Sequence, residues 1–404
     1  MCALQVLWLC AIWTTGVTSA GSTPLWLAVG AVACLLAIAV VPIPSRLAMA
    51  GSETDPVSTA LPLVMLCLGV ASVGVVYAVK QGPLPDEDSA VAAVRIITTA
   101  GVGRFFDQYA HIDWLGTRHP PLVPLIFAVF AKLFGSTLVV LRLVSLGFLL
   151  ATLPVTCQLG RELYDYRVGI LAALALVMMP YMFRVGVAAR TDMAVTLFGS
   201  IALLYTLRLV DRPGWLPVGG AGVGIGLAVL SKYSAFLMLP VLALLLVWRR
   251  ASWDAWRRLA GAMIVSGVVV LPWLVFALRH GVFAAQLQTV VLFVGGPALD
   301  QGAVHHHSAL RFQLELLMTS LPSGIGVDNL ALILPGAWML ARRHRTSDGA
   351  VLIWIGGIVA LLLLVLPDPR YFMLTFPALA VLMAGTLNSV RSGTTRVVAL
   401  GFLY

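Results

Sequence analysis

Apolar stretches of roughly twenty residues, each closed by a short polar break, recur from residue 24 to residue 388 and constrain the fold more than any motif. An α-helix needs about 20 consecutive apolar residues to cross the hydrocarbon core of a bilayer. Such stretches are read at 24–43, 59–79, 137–158, 168–183, 192–210, 214–231, 233–248, 259–278, 326–341, 349–366 and 371–388. Several are short or hold Gly or Pro, which neighbouring helices in a bundle tolerate. The expected fold is all-α: a polytopic transmembrane helical bundle of about 11 to 12 spans. Composition agrees, with 60% hydrophobic and 11% charged residues and a mean hydropathy of +0.98, where soluble proteins carry about a quarter charged residues. The formal charge of +9 is explained by Arg-rich loops at a membrane surface, so no nucleic-acid partner is inferred. Cys2, Cys10, Cys34, Cys67 and Cys157 all lie in apolar runs and read as small core residues.

Three parts are expected: residues 1–58 as N-terminal membrane helices, 59–390 as the main transmembrane domain, and 391–404 as a C-terminal tail. Residues 3–20 leave a signal peptide and a first helix both open, because no Lys or Arg precedes them. The tail's apolar run from Val397 is too short to span and reads as an incomplete helix or a segment on the membrane. Segment 86–101 fits a short surface helix, and 102–119 an ordered polar and aromatic loop.

Arg161/Arg167, Arg208/Arg212, Arg249-Arg250 with Arg257-Arg258, Arg342-Arg343 with Arg345, and Arg391/Arg396 fall in every second loop. Cytoplasmic loops collect such residues. One topology satisfies them all, and it places loop 80–119, Arg190-Thr191-Asp192, Lys232, loop 279–325 and Asp368-Pro369-Arg370 together on the extracytoplasmic face. Only one crossing then fits between 119 and 161, so 120–134 is expected to pack at the outer surface or re-enter.

On that face Asp86, Glu87, Asp88 and Asp192 share a surface with Arg190, Lys232 and Arg370. Carboxylates beside cations suit a reaction that activates a hydroxyl and stabilises a departing phosphate. The plainer reading is that the acids solvate a loop and cap the next helix. Glu87 and Asp88 are expected to raise the proton affinity of Asp86 by like-charge repulsion.

These residues sit in a series of motifs: Pro85-Asp86-Glu87 after a membrane helix, His119-Pro120-Pro121-Leu122, Leu141-Arg142-Leu143-Val144-Ser145, Gly160-Arg161-Glu162-Leu163-Tyr164, Ala189-Arg190-Thr191-Asp192-Met193, Ser231-Lys232, and Arg370-Tyr371 before Phe376-Pro377-Ala378-Leu379-Ala380. In this order, over about residues 60–390, the chain resembles the GT-C membrane glycosyltransferases, in particular the glycosyltransferase family 39-like group of protein O-mannosyltransferases and aminoarabinose transferases. The resemblance implies a polyprenyl-phosphate sugar donor, a lipid, glycan or protein acceptor, transfer with inversion, and an extracytoplasmic site in a prokaryotic plasma membrane. It implies Asp86, Glu87 and Asp192 as catalytic candidates, with Asp86 the catalytic carboxylate and Asp192 an acid that shapes the site or holds a metal. Asp88, His119, Arg190, Lys232, Arg370 and Tyr371 are the substrate-binding candidates, Lys232 and Arg370 near the lipid phosphate. A divalent metal is left open, and no other cofactor is expected. Asp88-Ser89-Ala90 replaces the aromatic residues usual after the Asp-Glu pair, which bears on acceptor identity.

Two other motifs carry less. His305-His306-His307 are adjacent loop residues with no carboxylate close in sequence, a poor metal geometry. Gly219-Gly220, Gly222, Gly224 and Gly226 follow no strand and read as close helix packing rather than a phosphate loop. A transporter or flippase would place its charges near mid-membrane, and a lipid-linked polysaccharide polymerase or ligase would carry Arg- and His-rich outer loops; both remain alternatives.

Overall fold

The computed structural model describes residues 56–112, 119–286, 318–319, 322–343, 345–362 and 369–389. The expectations for the first two helices, the signal segment, the histidine triplet and the tail lie outside these residues.

Thirteen α-helices are described: α1 (Pro56–Lys80), α2 (Glu87–Asp107), α3 (Leu122–Phe134), α4 (Leu138–Leu163), α5 (Tyr166–Val177), α6 (Pro180–Arg184), α7 (Asp192–Asp211), α8 (Trp215–Ser231), α9 (Met238–Trp248), α10 (Trp253–Arg279), α11 (Val327–Arg343), α12 (Thr346–Leu362) and α13 (Phe376–Ser389). No strand occurs among the described residues. Short 3-10 turns precede α9 and α13, at Tyr233–Leu237 and Pro369–Thr375, and each delivers a basic residue to the same end of the bundle.

Six of these helices have the length and apolarity of a membrane span: Ala60–Lys80, Glu87–Asp107, Leu138–Leu163, Asp192–Asp211, Trp253–Arg279 and Arg370–Ser389. The protein is an integral membrane helical bundle. Among the described residues, five further apolar helices are shorter than these. Polar and helix-breaking residues bound α5, one of the short ones: Asp165 caps it by accepting from the Val168 amide at 2.9 Å, and Pro180 opens a new short helix directly behind it. The second candidate, α2, is interrupted at Gly101, whose φ of 90° is open to glycine. Its first limb, 87–100, would extend about 21 Å, less than the roughly 30 Å of hydrocarbon, in keeping with the surface helix expected at 86–101.

Helices α4, α7 and α13 form the centre, most of their residues being buried, whereas α1 and α10 lie outside with apolar faces exposed. Helix α4 packs on α1, α5 and α7; α8 joins α7 to α10; α13 lies against α5 and α11; α9 packs on α12. The glycine stripe of α8 sits in these seams. A Cβ on Gly224 would lie 2.8 Å from the Ala202 amide nitrogen in α7, and one on Gly222 2.6 Å from Val265 Cβ in α10. Close helix approach is therefore the reason for these glycines. Trp354 is fully buried and its Nε1 donates to the Leu374 carbonyl at 3.1 Å, which ties the 369–375 turn to α12 and sets the height of Arg370.

Candidate active site

The linker between α1 and α2 ends at Asp86, the first of three consecutive acids, and the fold turns each a different way. Asp86 occupies the cap position of α2 with φ 73° and makes no side-chain capping bond. Asp is one of the few residues that enter this left-handed region readily. Its Oδ2 instead accepts from Arg190 Nη2 and from Arg370 Nη1, each at 2.6 Å. The capping reading fails for Asp86: this carboxylate faces two guanidinium groups and remains partly open to solvent.

Glu87 is fully buried. Its Oε1 accepts from Arg142 Nε at 2.9 Å and the Ala189 amide at 2.8 Å, and its Oε2 from Arg142 Nη2 at 2.6 Å and the Leu84 amide at 2.7 Å. A carboxylate offers about four acceptor positions, so none is left for a substrate proton. Arg142 is saturated in turn, its remaining N–H groups donating to the carbonyls of Ala78 (3.2 Å), Gln81 (2.6 Å) and Gly82 (2.9 Å). The pair clamps the end of α1, the linker, the start of α2 and the strand of chain before α7. Asp88 faces outward into a cavity with Gln108 and His111, away from its two neighbours.

Asp192 opens α7, buried, and accepts from Lys232 Nζ at 2.6 Å. Lys232 is also buried, its ammonium 4.3 Å from the centre of the Tyr371 ring. Among the described residues, Arg190 and Arg370 both meet Asp86, and Lys232 meets Asp192. Arg190 Nε is buried without a hydrogen-bond partner. It is a buried cationic donor of the kind that an anion satisfies.

Burial by itself would raise the Asp86 carboxyl, but Arg370 and Arg190 together outweigh it and hold this group below its ordinary value. The expectation that Glu87 and Asp88 raise its proton affinity is overturned. Glu87 is neutralised by Arg142, and Asp88 points elsewhere.

His119 is buried, and its carbonyl accepts from Tyr109 Oη at 2.5 Å and Gln286 Nε2 at 3.2 Å. Trp273 Nε1 donates to Tyr233 Oη at 3.0 Å, and Tyr233 Oη bonds Gln286. This network ties the polar loop after α2 to α10 and to the residue that follows Lys232. No group of three His, Cys, Asp or Glu side chains assembles as a metal set among the described residues.

Arg142 is the functional residue that sequence reasoning passed over. The signal was a single Arg inside the apolar run 137–158, since a charge there requires a partner. The Ala189 amide carried no signal at all.

Residues 118–276 match the family described as dolichyl-phosphate-mannose-protein mannosyltransferase. Two Rhizobium johnstonii proteins are related in sequence. The lipopolysaccharide core galacturonosyltransferase RgtA is 33% identical over 142 residues, 34% of this chain and 28% of RgtA. The lipid A galacturonosyltransferase RgtD is 26% identical over 251 residues, 60% of this chain and 50% of RgtD. The chain therefore spans half or less of the length of these relatives. Among solved structures, ArnT from Cupriavidus metallidurans in the apo state superposes with a TM-score of 0.67 at 20% identity, covering 85% of this chain and 63% of ArnT. The same enzyme bound to undecaprenyl phosphate gives 0.65. The chain thus has the membrane-helical fold of ArnT, is similar through residues 118–276 to the mannosyltransferase family, and is related over part of its length to two glycosyltransferases.

Proposed function

We propose that the protein is an integral-membrane glycosyltransferase that moves a sugar from a polyprenyl-phosphate donor to an acceptor hydroxyl on the extracytoplasmic side of a prokaryotic plasma membrane. The observation that carries this reading is the partly open Asp86 carboxylate held between Arg190 and Arg370, beside a buried Arg190 Nε that has no hydrogen-bond partner. A base and an anion clamp are what this transfer needs.

The acceptor oxygen attacks the anomeric carbon as the bond from that carbon to the phosphate oxygen breaks. The hydroxyl proton goes to Asp86, and the electron pair leaves with the phosphate, whose charge is met by Arg370 and by the unfilled Nε of Arg190. Attack opposite the leaving group inverts the anomeric centre. In the free protein the two arginines make Asp86 a poor base. A donor phosphate competes for the same guanidinium groups, so donor binding frees the carboxylate and raises its basicity when it is needed. Lys232 adds charge from behind, committed to Asp192. Glu87 is assigned a positioning role through Arg142, not a catalytic one.

Sidedness is supported by the two ends of α4. Arg142 lies at the site and Arg161 near the opposite end, about 28 Å away along the helix, close to the thickness of the hydrocarbon core. Arg208 likewise lies at the far end of α7 from Asp192. The Arg-rich end is the cytoplasmic one by the charge rule. ArnT bound to undecaprenyl phosphate supports the donor class, and the two galacturonosyltransferases support a saccharide or glycolipid acceptor.

The test is to supply the full chain, in lipid nanodiscs, with an undecaprenyl-phosphate-linked sugar and lipopolysaccharide. Free undecaprenyl phosphate and a glycosylated product of inverted configuration are expected. A protein that binds the donor and never releases undecaprenyl phosphate with any acceptor overturns the reading.

A further inference from the structure

The two limbs of the first outer segment border an open cavity of about 600 Å³, lined by Asp88, Ser89, Ala92 and Ile96 from one face of α2 and by Gln108, His111 and Ile112 from the chain after the Gly101 break. The opposite face of α2 is committed to the core through Glu87, Ala90, Ala93, Val94 and Ile97. The size falls in the range of small-ligand sites, about 300 to 1,000 Å³. One residue, Glu87, separates Asp88 from Asp86, a span of at most about 7 Å between their α-carbons.

What distinguishes the lining is its chemical state. Every charged group around Asp86 and Asp192 is engaged, whereas Asp88, Ser89 and His111 have no side-chain hydrogen bond or ion pair among the described residues. Gln108, in the amide orientation that satisfies its neighbour, accepts from Arg104 Nε and Nη2 at 3.0 Å and keeps its NH₂ donors for the cavity. One acceptor-only carboxylate, a hydroxyl, an amide and an imidazole stand around Ala92, Ile96 and Ile112. That arrangement matches a sugar ring, which presents hydroxyls at its rim and C–H groups on its faces. A phosphate would meet repulsion from Asp88; among the described residues the lining itself holds no Lys or Arg, and the nearby Arg104 is taken up by Gln108.

We infer that this cavity is the acceptor subsite and that it holds a saccharide headgroup, with Asp88 accepting from sugar hydroxyls and His111 and Gln108 fixing the ring so that one hydroxyl reaches Asp86. The inference rests on the transferase reading for its role, not for the binding itself.

The full chain carrying Ser89→Cys, in nanodiscs, is labelled with a membrane-impermeant maleimide, and the rate above that of the parent protein is measured. Three probes are added in turn: a deacylated lipopolysaccharide core oligosaccharide, a Ser/Thr-rich peptide and undecaprenyl phosphate. The oligosaccharide at saturating concentration is expected to slow labelling at least about fivefold, and the other two to leave it unchanged. Adding Ala92→Trp, at an exposed position, should abolish that protection while the variant still binds undecaprenyl phosphate. Protection by undecaprenyl phosphate would give the cavity to the donor, protection by the peptide would change the acceptor class, and no protection by the oligosaccharide would remove the subsite; each overturns the inference. Protection without any donor turnover by the parent protein would instead leave the saccharide site standing and remove the transferase reading.

Discussion

The two ends of the bundle carry similar numbers of ion pairs built in opposite ways. At the Arg-rich end Glu162 meets Arg208 at 3.2 Å and Arg212 at 2.6 Å, Asp211 meets Arg249 at 2.9 Å, and Asp254 meets Arg257 at 3.3 Å. Most of these side chains are open to water, Arg212 being 59% and Asp254 77% exposed. At the Asp86 end the pairs Glu87–Arg142 and Asp192–Lys232 are closed, no partner exceeding 7%. Exposed pairs contribute about 0 to 1 kcal/mol. Buried ones carry a desolvation cost that makes them poor devices for stability alone. Their presence at one end marks where position matters, and Asp86, the partly open carboxylate among them, is what they position.

The comparison breaks most visibly if the two ends share a side of the membrane. Asp88→Cys and Asp254→Cys, each at an exposed position, should react with an impermeant thiol reagent from opposite faces of intact cells. Labelling of both from one face would separate the acids from any extracytoplasmic substrate.

Next in size is Arg142→Met, which strands Glu87 as an unpaired buried charge. A loss of about 3–5 kcal/mol is expected, read as a large fall in the unfolding temperature of the purified protein. An unchanged unfolding temperature would show that the clamp on the linker is dispensable.

A smaller effect concerns pH. Because the arginines lower the Asp86 carboxyl below its ordinary 3.8, its ion pairs stabilise the fold fully above that value and lose their contribution as pH falls through the depressed one. The acid limb of kcat/KM for the donor, which reports the free enzyme, should therefore lie below pH 3.8. The limb of kcat should lie higher, since the bound phosphate draws Arg190 and Arg370 away. Arg370→Gln should move the kcat/KM limb upward, and coincident limbs in parent and variant would rule out the exchange of partners. Smallest of all is Arg212→Gln at the other end, expected to change stability by no more than about 1 kcal/mol and to leave transfer unaltered; a loss of transfer would show the ends to be coupled.

Much of this was legible in the sequence because it is periodic or local. The apolar runs locate helices such as α7 and α8 to within a residue or two, and the alternation of Arg-rich loops groups Asp86, Arg190, Asp192, Lys232 and Arg370 before their contacts are known. Three neighbouring acids, however, look alike in one dimension. The left-handed turn at Asp86 and the 100° step of the following helix send Asp86 to the arginines, Glu87 into the core and Asp88 to the cavity. The Glu87–Arg142 bond joins residues 55 apart, and no local pattern encodes such a pairing. The same holds for the depressed Asp86 carboxyl, whose causes are Arg190 and Arg370, 104 and 284 residues away.

The central claim is that Asp86 takes the acceptor's proton, and Asp86→Asn tests it most directly. The variant keeps the shape of the side chain and, like Asp, accepts the left-handed backbone at this position, so the protein should fold and bind undecaprenyl phosphate. Single-turnover release of undecaprenyl phosphate from the sugar-charged donor should fall about 100-fold or more, the range for a lost general base. A folded, donor-binding Asp86→Asn protein that transfers sugar at the parent rate would contradict the account.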